Sequence, residues 1–169
     1  MEQDIIINRV SESALLAINL EDYFPKEEIV EFDLKDFLFM GLIIKEKDFR
    51  EALINTNWNK YENKIVAVIC TADAIIPFWA YMLVAKWLQP FAKDIAMGNK
   101  KTLIQIIMQK NISGINAKEY TDKRVVIKGC GNLPVPESAY MEITKLLVPY
   151  AKSIMYGEPC STVPVFKKK

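Results

Sequence analysis

KIVAVICTADAIIPFWAYMLVAKWLQPFAKDIAMG, residues 64–98, returns in altered form as KRVVIKGCGNLPVPESAYMEITKLLVPYAKSIMYG, residues 123–157. At this offset of 59, Tyr61, Lys64 and Val66 fall on Tyr120, Lys123 and Val125. Pro77 falls on Pro136, and Ala80-Tyr81-Met82 on Ala139-Tyr140-Met141. Lys86, Leu88, Pro90 and Gly98 fall on Lys145, Leu147, Pro149 and Gly157. Self-similarity of this length marks a repeated supersecondary unit. Each copy reads as strand, loop, helix, strand. Ile65-Val66-Ala67-Val68-Ile69 has the near-continuous branched apolar run of a strand covered on both faces, and Val125-Val126-Ile127 is its copy. Pro77 and Pro136 stand where a helix begins. Pro90 and Pro149, thirteen residues on, end it. Ile95-Ala96-Met97-Gly98 and Ile154-Met155-Tyr156-Gly157 read as closing strands.

Outward from the repeats, residues 46–56 and 100–112 read as helices. Asp36 to Gly41 resembles the closing strand at 94–98, although Asp33 and Asp36 equally suit the cap of a short helix. Leu15 to Leu20 reads as an edge strand and Asp22 to Lys26 as a turn. Strands alternating with helices give an α/β fold, a largely parallel sheet flanked by helices and built on the strand-helix-strand duplication. The expected organisation is a single domain over 1–169. It comprises an acidic N-terminal portion (1–60), repeat one (61–98), repeat two (120–157) and a C-terminal tail (158–169). The repeat helices differ. Residues 137–148 are amphipathic, whereas 78–88 are apolar almost all round, so that helix requires cover on nearly every side. Either the N-terminal segment or a second subunit supplies it, and a homodimer is expected on that ground.

The net charge of +1 hides an asymmetry: residues 1–60 carry −6 and residues 61–169 carry +7. The simplest reading is two differently charged surfaces, and the sharper one an anionic ligand or a polar subunit contact for the second half. No basic stripe interleaved with aromatics is present, so no nucleic-acid partner is expected. The longest apolar run, Ala74 to Ala85, contains Pro77 and is too short to cross a bilayer, so no membrane partner is expected either. The first residues, Met1-Glu2-Gln3-Asp4, lack the basic start and apolar stretch of a secretory signal, which makes the cytoplasm the expected location.

The three cysteines carry the most specific chemistry. Cys70 follows one repeat strand and opens the loop containing Thr71 and Asp73. Cys130 follows the other, after Lys128 and Gly129. Cys160 follows the closing strand, beside Glu158. If those strands are parallel in one sheet, the three sulfurs share one rim, where α/β folds usually bind ligands. Three thiolates converging there would suit zinc or an iron–sulfur cluster, with Asp73, Glu158, water or a partner's group as the fourth ligand. Against this, no Cys-x-x-Cys pair exists, and free cysteine is also a common small apolar filler or a reactive thiol. The absence of histidine removes Cys–His and Ser–His catalysis within this chain. The tail Gly157 to Phe166, stiffened by Pro159 and Pro164, is expected to fold back across the strand ends and deliver Cys160 to the other two.

The stretch CTADAIIPFWAYM from Cys70, together with VIKGC ending at Cys130 and SIMYGEPCSTVP from Ser153, resembles a bacterial domain family of unknown function numbered 2480. Phe32 to Asp36 and Lys45 to Arg50 share the likeness, which covers nearly the whole chain. The resemblance implies a link to iron–sulfur assembly and supplies no catalytic residues. The expected role is therefore a binding or accessory protein whose Cys70, Cys130 and Cys160 serve metal, iron–sulfur or sulfur handling with a partner from that metabolism. The alternative is a protein-interaction module with inert cysteines and no cofactor. An enzyme acting on a small anion through Lys128, Asp73 and loop N–H groups is the weakest of the three readings.

Overall fold

The computed structural model describes residues 15–129, 131–158 and 161–169. In chain order these contain β1 (Leu15–Asn19), a 3-10 turn (Leu20–Tyr23), β2 (Ile29–Asp33), a second 3-10 turn (Leu34–Phe37) and α1 (Glu46–Ile54). A third 3-10 turn (Trp58–Tyr61), β3 (Ile65–Ile69), α2 (Phe78–Leu88), β4 (Asp94–Met97) and α3 (Lys100–Ser113) follow. The chain closes with a fourth 3-10 turn (Ala117–Tyr120), β5 (Arg124–Lys128), α4 (Glu137–Leu147), β6 (Ser153–Glu158) and β7 (Ser161–Lys167). The α/β class with mostly parallel strands is as expected.

The strands form two sheets rather than one, ordered β1-β5-β6-β7 and β2-β3-β4. The chain correspondingly divides into an inner unit, Pro25–Ile104, and an outer unit made of Met1–Phe24 with Gln105–Lys169. Element bounds recur at the sequence offset of 59: 58–61 on 117–120, 65–69 on 124–128, and 78–88 on 137–147.

In the inner unit β3 lies between β2 and β4, parallel to both. Ile65 to Val68 are all buried, as a doubly covered strand requires. α2 turns Ala80, Val84 and Leu88 inward. They join a core of Phe32, Leu34, Phe49, Leu53, Trp58 and Tyr61, in which Phe32 stacks on Trp58 and Trp58 on Trp87 at 5.7 and 5.8 Å between ring centres. The outer face of α2 is not covered by the described residues: Phe78 is 87% and Met82 71% exposed. Residues 36–41 are not a strand. Asp33 caps the 3-10 turn by accepting from the Lys35 N–H, and Met40 and Gly41 then take positive φ in a tight turn. β2 went unrecognised because Glu27, Glu28 and Glu31 break its apolar run.

In the outer unit β1 pairs in parallel with β5, β5 in parallel with β6, and β6 antiparallel with β7. α4 turns Ala139, Ile143 and Leu147 inward, the equivalents of the three α2 residues. The tail therefore runs alongside β6 and not across the strand ends, because the edge of β6 offers it a row of backbone donors and acceptors. The register shifts between Ile154 and Met155, opposite Phe166 and Pro164, which leaves Val165 as the extra residue of a bulge.

Candidate functional site

The loops after β3 and β5 are where this architecture places chemistry, and each is anchored by an acidic side chain at or just after the end of an edge strand. In the inner unit, Asp33 at the end of β2 accepts from the Thr71 N–H at 3.1 Å and from the Thr71 hydroxyl. Partial burial disfavours the Asp33 charge. The hydrogen bonds from Thr71 and Lys35 outweigh it and hold the carboxyl down at about 2. Cys70, half-buried, donates from Sγ to the Ala72 carbonyl at 3.5 Å. Burial first, and the neighbouring Cys70 second, push the Tyr81 hydroxyl above its ordinary pKa. Asp73 is exposed.

In the outer unit, Glu21 accepts from the Leu133 N–H at 2.8 Å. Gly131 lets the loop approach it, since a Cβ there would meet the Glu21 carboxylate. Lys128 lies 3.6 Å from Glu158 in a largely exposed pair. Such a pair contributes at most about 1 kcal/mol.

Of the residues singled out in the sequence, Cys70, Thr71 and Asp73 thus belong to the inner unit, and Lys128 and Glu158 to the outer. Cys130 and Cys160 lie outside the described residues. The strands ahead of Cys70 and Cys130 belong to different sheets, so the single sheet rim on which their convergence was argued is not present. Among the described residues no group of three or more cysteine or carboxylate side chains is placed to hold a metal.

A feature not identified from the sequence lies in the outer unit. A cavity of about 930 Å³ opens between α4 and the sheet, at the carboxyl ends of β5 and β6. Ile127, Leu133, Val135, Met141, Met155 and Val165 give it an apolar wall, with Val165 supplied by the bulged strand β7. Tyr140 and Tyr156 meet edge to face at 5.8 Å in the same wall. Gly129 forms part of the floor: a Cβ there would stand 2.8 Å from the Tyr140 hydroxyl. The charged side chains in the lining, Glu137 and Lys145, are exposed, and Lys145 pairs with Glu142 at 2.6 Å. Thr144 donates its hydroxyl to the Tyr140 carbonyl at 2.7 Å. The only trace in the sequence was Gly129 replacing Cys70 in the second copy, which removes a side chain from beside the tyrosine.

Comparison with known proteins places the chain in a family. The family described as Protein of unknown function (DUF2480) matches residues 4–168, and the chain belongs to it. No curated protein and no solved structure matches.

Proposed function

We propose, from the premise of a family without an assigned activity, that the chain is a binding protein whose working site is the apolar cavity of the outer unit. The observation that carries this reading is the cavity itself. Its volume falls in the range of small-molecule sites, about 300–1,000 Å³, and it occupies the strand ends where α/β folds bind ligands. Its wall presents apolar and aromatic surface rather than a constellation of acid, base and nucleophile, so binding without chemical turnover is the role it suits. The test is titration with the apolar fluorescent dye anilinonaphthalene sulfonate. The reading expects saturable one-site binding that Met141→Asp weakens at least tenfold without changing the circular dichroism spectrum. Met141 is 75% exposed, so the substitution spares the core. Absence of dye binding, or binding indifferent to Met141→Asp, contradicts the reading.

Handling of metal, iron–sulfur or sulfur groups through Cys70, Cys130 and Cys160 is a second proposal. Its support is local: Gly129, the chain neighbour of Cys130, lines the cavity, and the Cys70 thiol stands at a strand end beside Tyr81. Elemental analysis and an absorption spectrum of protein purified without oxygen test it. Stoichiometric metal or colour lost on Cys→Ala substitution supports it, and metal-free, colourless protein opposes it.

The homodimer belongs here too. Its support is a comparison of the two units. Ile75, Phe78, Met82 and Met97 are exposed in the inner unit. They are the positional equivalents of Pro134, Glu137, Met141 and Tyr156, which line the cavity in the outer unit. There β6 carries β7 on its edge, whereas β4 ends its sheet among the described residues. A second copy adding its own β4 antiparallel would close that edge in the way β7 closes β6.

A further inference from the structure

Resting on the second copy proposed for the open edge of β4, we infer that the two copies meet about a two-fold axis at Ala96. Each Ile95 then lies opposite the partner's Met97. The backbone of β4 leads to this register. Gly98 donates its N–H to the Val68 carbonyl at 3.0 Å. By alternation Ala96 and Asp94 also direct their backbone groups to β3, and Ile95 and Met97 direct theirs to the open edge. The Ile95 N–H agrees: the adjacent Asp94 carboxylate holds it at 2.9 Å, in place of a ladder carbonyl. Pairing transfers that N–H to the partner's Met97 carbonyl, one hydrogen bond exchanged for another. Only an axis at Ala96 pairs the two edge residues with each other. An axis at Ile95 would set Met97 opposite the partner's Lys93, and one at Met97 would set Ile95 opposite the partner's Asn99, beyond the strand.

The side chains select the same register. Val66 and Val68 of the core stand beside Ile95 and Met97 in the parallel ladder, so both point to the α2 face. The axis at Ala96 lays the exposed Met97 against the partner's partly buried Ile95. It also brings both α2 helices onto one face of the joined sheets. Their exposed Phe78 and Met82 turn toward the shared edge, since the outer-unit equivalents line the cavity with Val165 of β7. A surface that is its own complement is what a two-fold contact requires. β7 of a second copy is a poorer occupant. At the outer edge Lys168, just past β7, pairs with Asp122 at 3.2 Å, and the inner equivalent of Asp122 is Asn63.

The experiment introduces one cysteine at a time into the full chain, as Ile95→Cys, Ala96→Cys or Met97→Cys, and oxidises each variant with diamide. Mass spectrometry then measures the tryptic peptide 94–100 joined to itself, a product that the native cysteines do not form. Across the axis Ala96 faces its own copy at about 4.5 Å between Cα atoms, inside disulfide reach. Ile95 and Met97 stand diagonally from theirs at about 7–8 Å, beyond it. The Ala96→Cys peptide is expected to link to itself about tenfold more than the other two. Sedimentation of the unoxidised variants reads the dimer separately. Strongest self-linking at Ile95→Cys or Met97→Cys overturns the inference. So does equal linking at all three positions, or none, in protein that sediments as a dimer, and the second copy then stands without this register. Protein that sediments as a monomer at tens of micromolar overturns both.

Discussion

Gly129 stands where the first copy has Cys70, and its lack of a side chain sets the space beside the following helix. At Gly129 the missing side chain lets the Tyr140 hydroxyl sit 2.8 Å from where a Cβ would be, with the Leu20 Cβ 3.1 Å from the same point. Gly129→Ala is therefore expected to displace Tyr140, destabilise the protein by about 1–3 kcal/mol and weaken dye binding at the cavity. Chemical denaturation and dye titration check both effects, and an alanine variant with unchanged stability and binding contradicts the geometry. Asp33 gives a pH signature. Its folded pKa of about 2 lies below its ordinary value. Its contribution is therefore complete above about pH 4 and disappears as pH falls toward 2. After allowance for solvent at this partly exposed group the contribution is about 1–2 kcal/mol. Denaturation at pH 5 and pH 2 should show wild type losing that much more than Asp33→Asn, and parallel losses would remove the Thr71 clamp from the account. The candidate residues were only partly legible at this scale. The sequence marks Cys70 and Thr71 as strand-end residues, but no pattern shows that an aspartate thirty-eight positions upstream of Thr71 binds it.

Among the elements, the repeat strands and helices were the most legible, because buried parallel strands must be apolar throughout and each helix is bracketed by prolines. The helices run from the residue after Pro77 and Pro136 to Leu88 and Leu147, two residues short of Pro90 and Pro149. β2 was hidden by its acidic residues, and the pairing of β7 was not readable because Pro164 is a poor ladder donor. β7 is tied to β6 from Ser153–Lys167 to Glu158–Ser161, with Gly157 at φ 118° and so placed that a Cβ would meet the Ser161 carbonyl oxygen at 2.5 Å. Removing residues 161–169 is expected to lower the melting temperature by several degrees and to abolish dye binding, since Val165 goes with them. A truncated protein that melts and binds like the full chain contradicts the role assigned to this strand.

At the level of the whole molecule, the sequence pattern shows alternation of strands and helices but not which strands pair, so the division into two sheets could not be read from it. The repeat offset does point to equivalent elements, and comparing those elements exposes the asymmetry between the closed edge at β6 and the open one at β4. If a second copy closes that edge, sedimentation equilibrium should give about twice the 19.4 kDa chain mass. Phe78→Glu combined with Met82→Glu should return the monomer without unfolding it. A monomeric wild type at tens of micromolar contradicts the dimer and leaves the cavity reading untouched. The central claim is that ligands enter the outer unit between α4 and β6. Its most direct test is the carbon–proton NMR spectrum of methyl-labelled methionine as anilinonaphthalene sulfonate is added to the full chain. Of the seven methionines, Met141 and Met155 should shift progressively to saturation while Met40, Met82 and Met97 stay in place. Shifts confined to Met40, Met82 or Met97, or no shift at all, would contradict it.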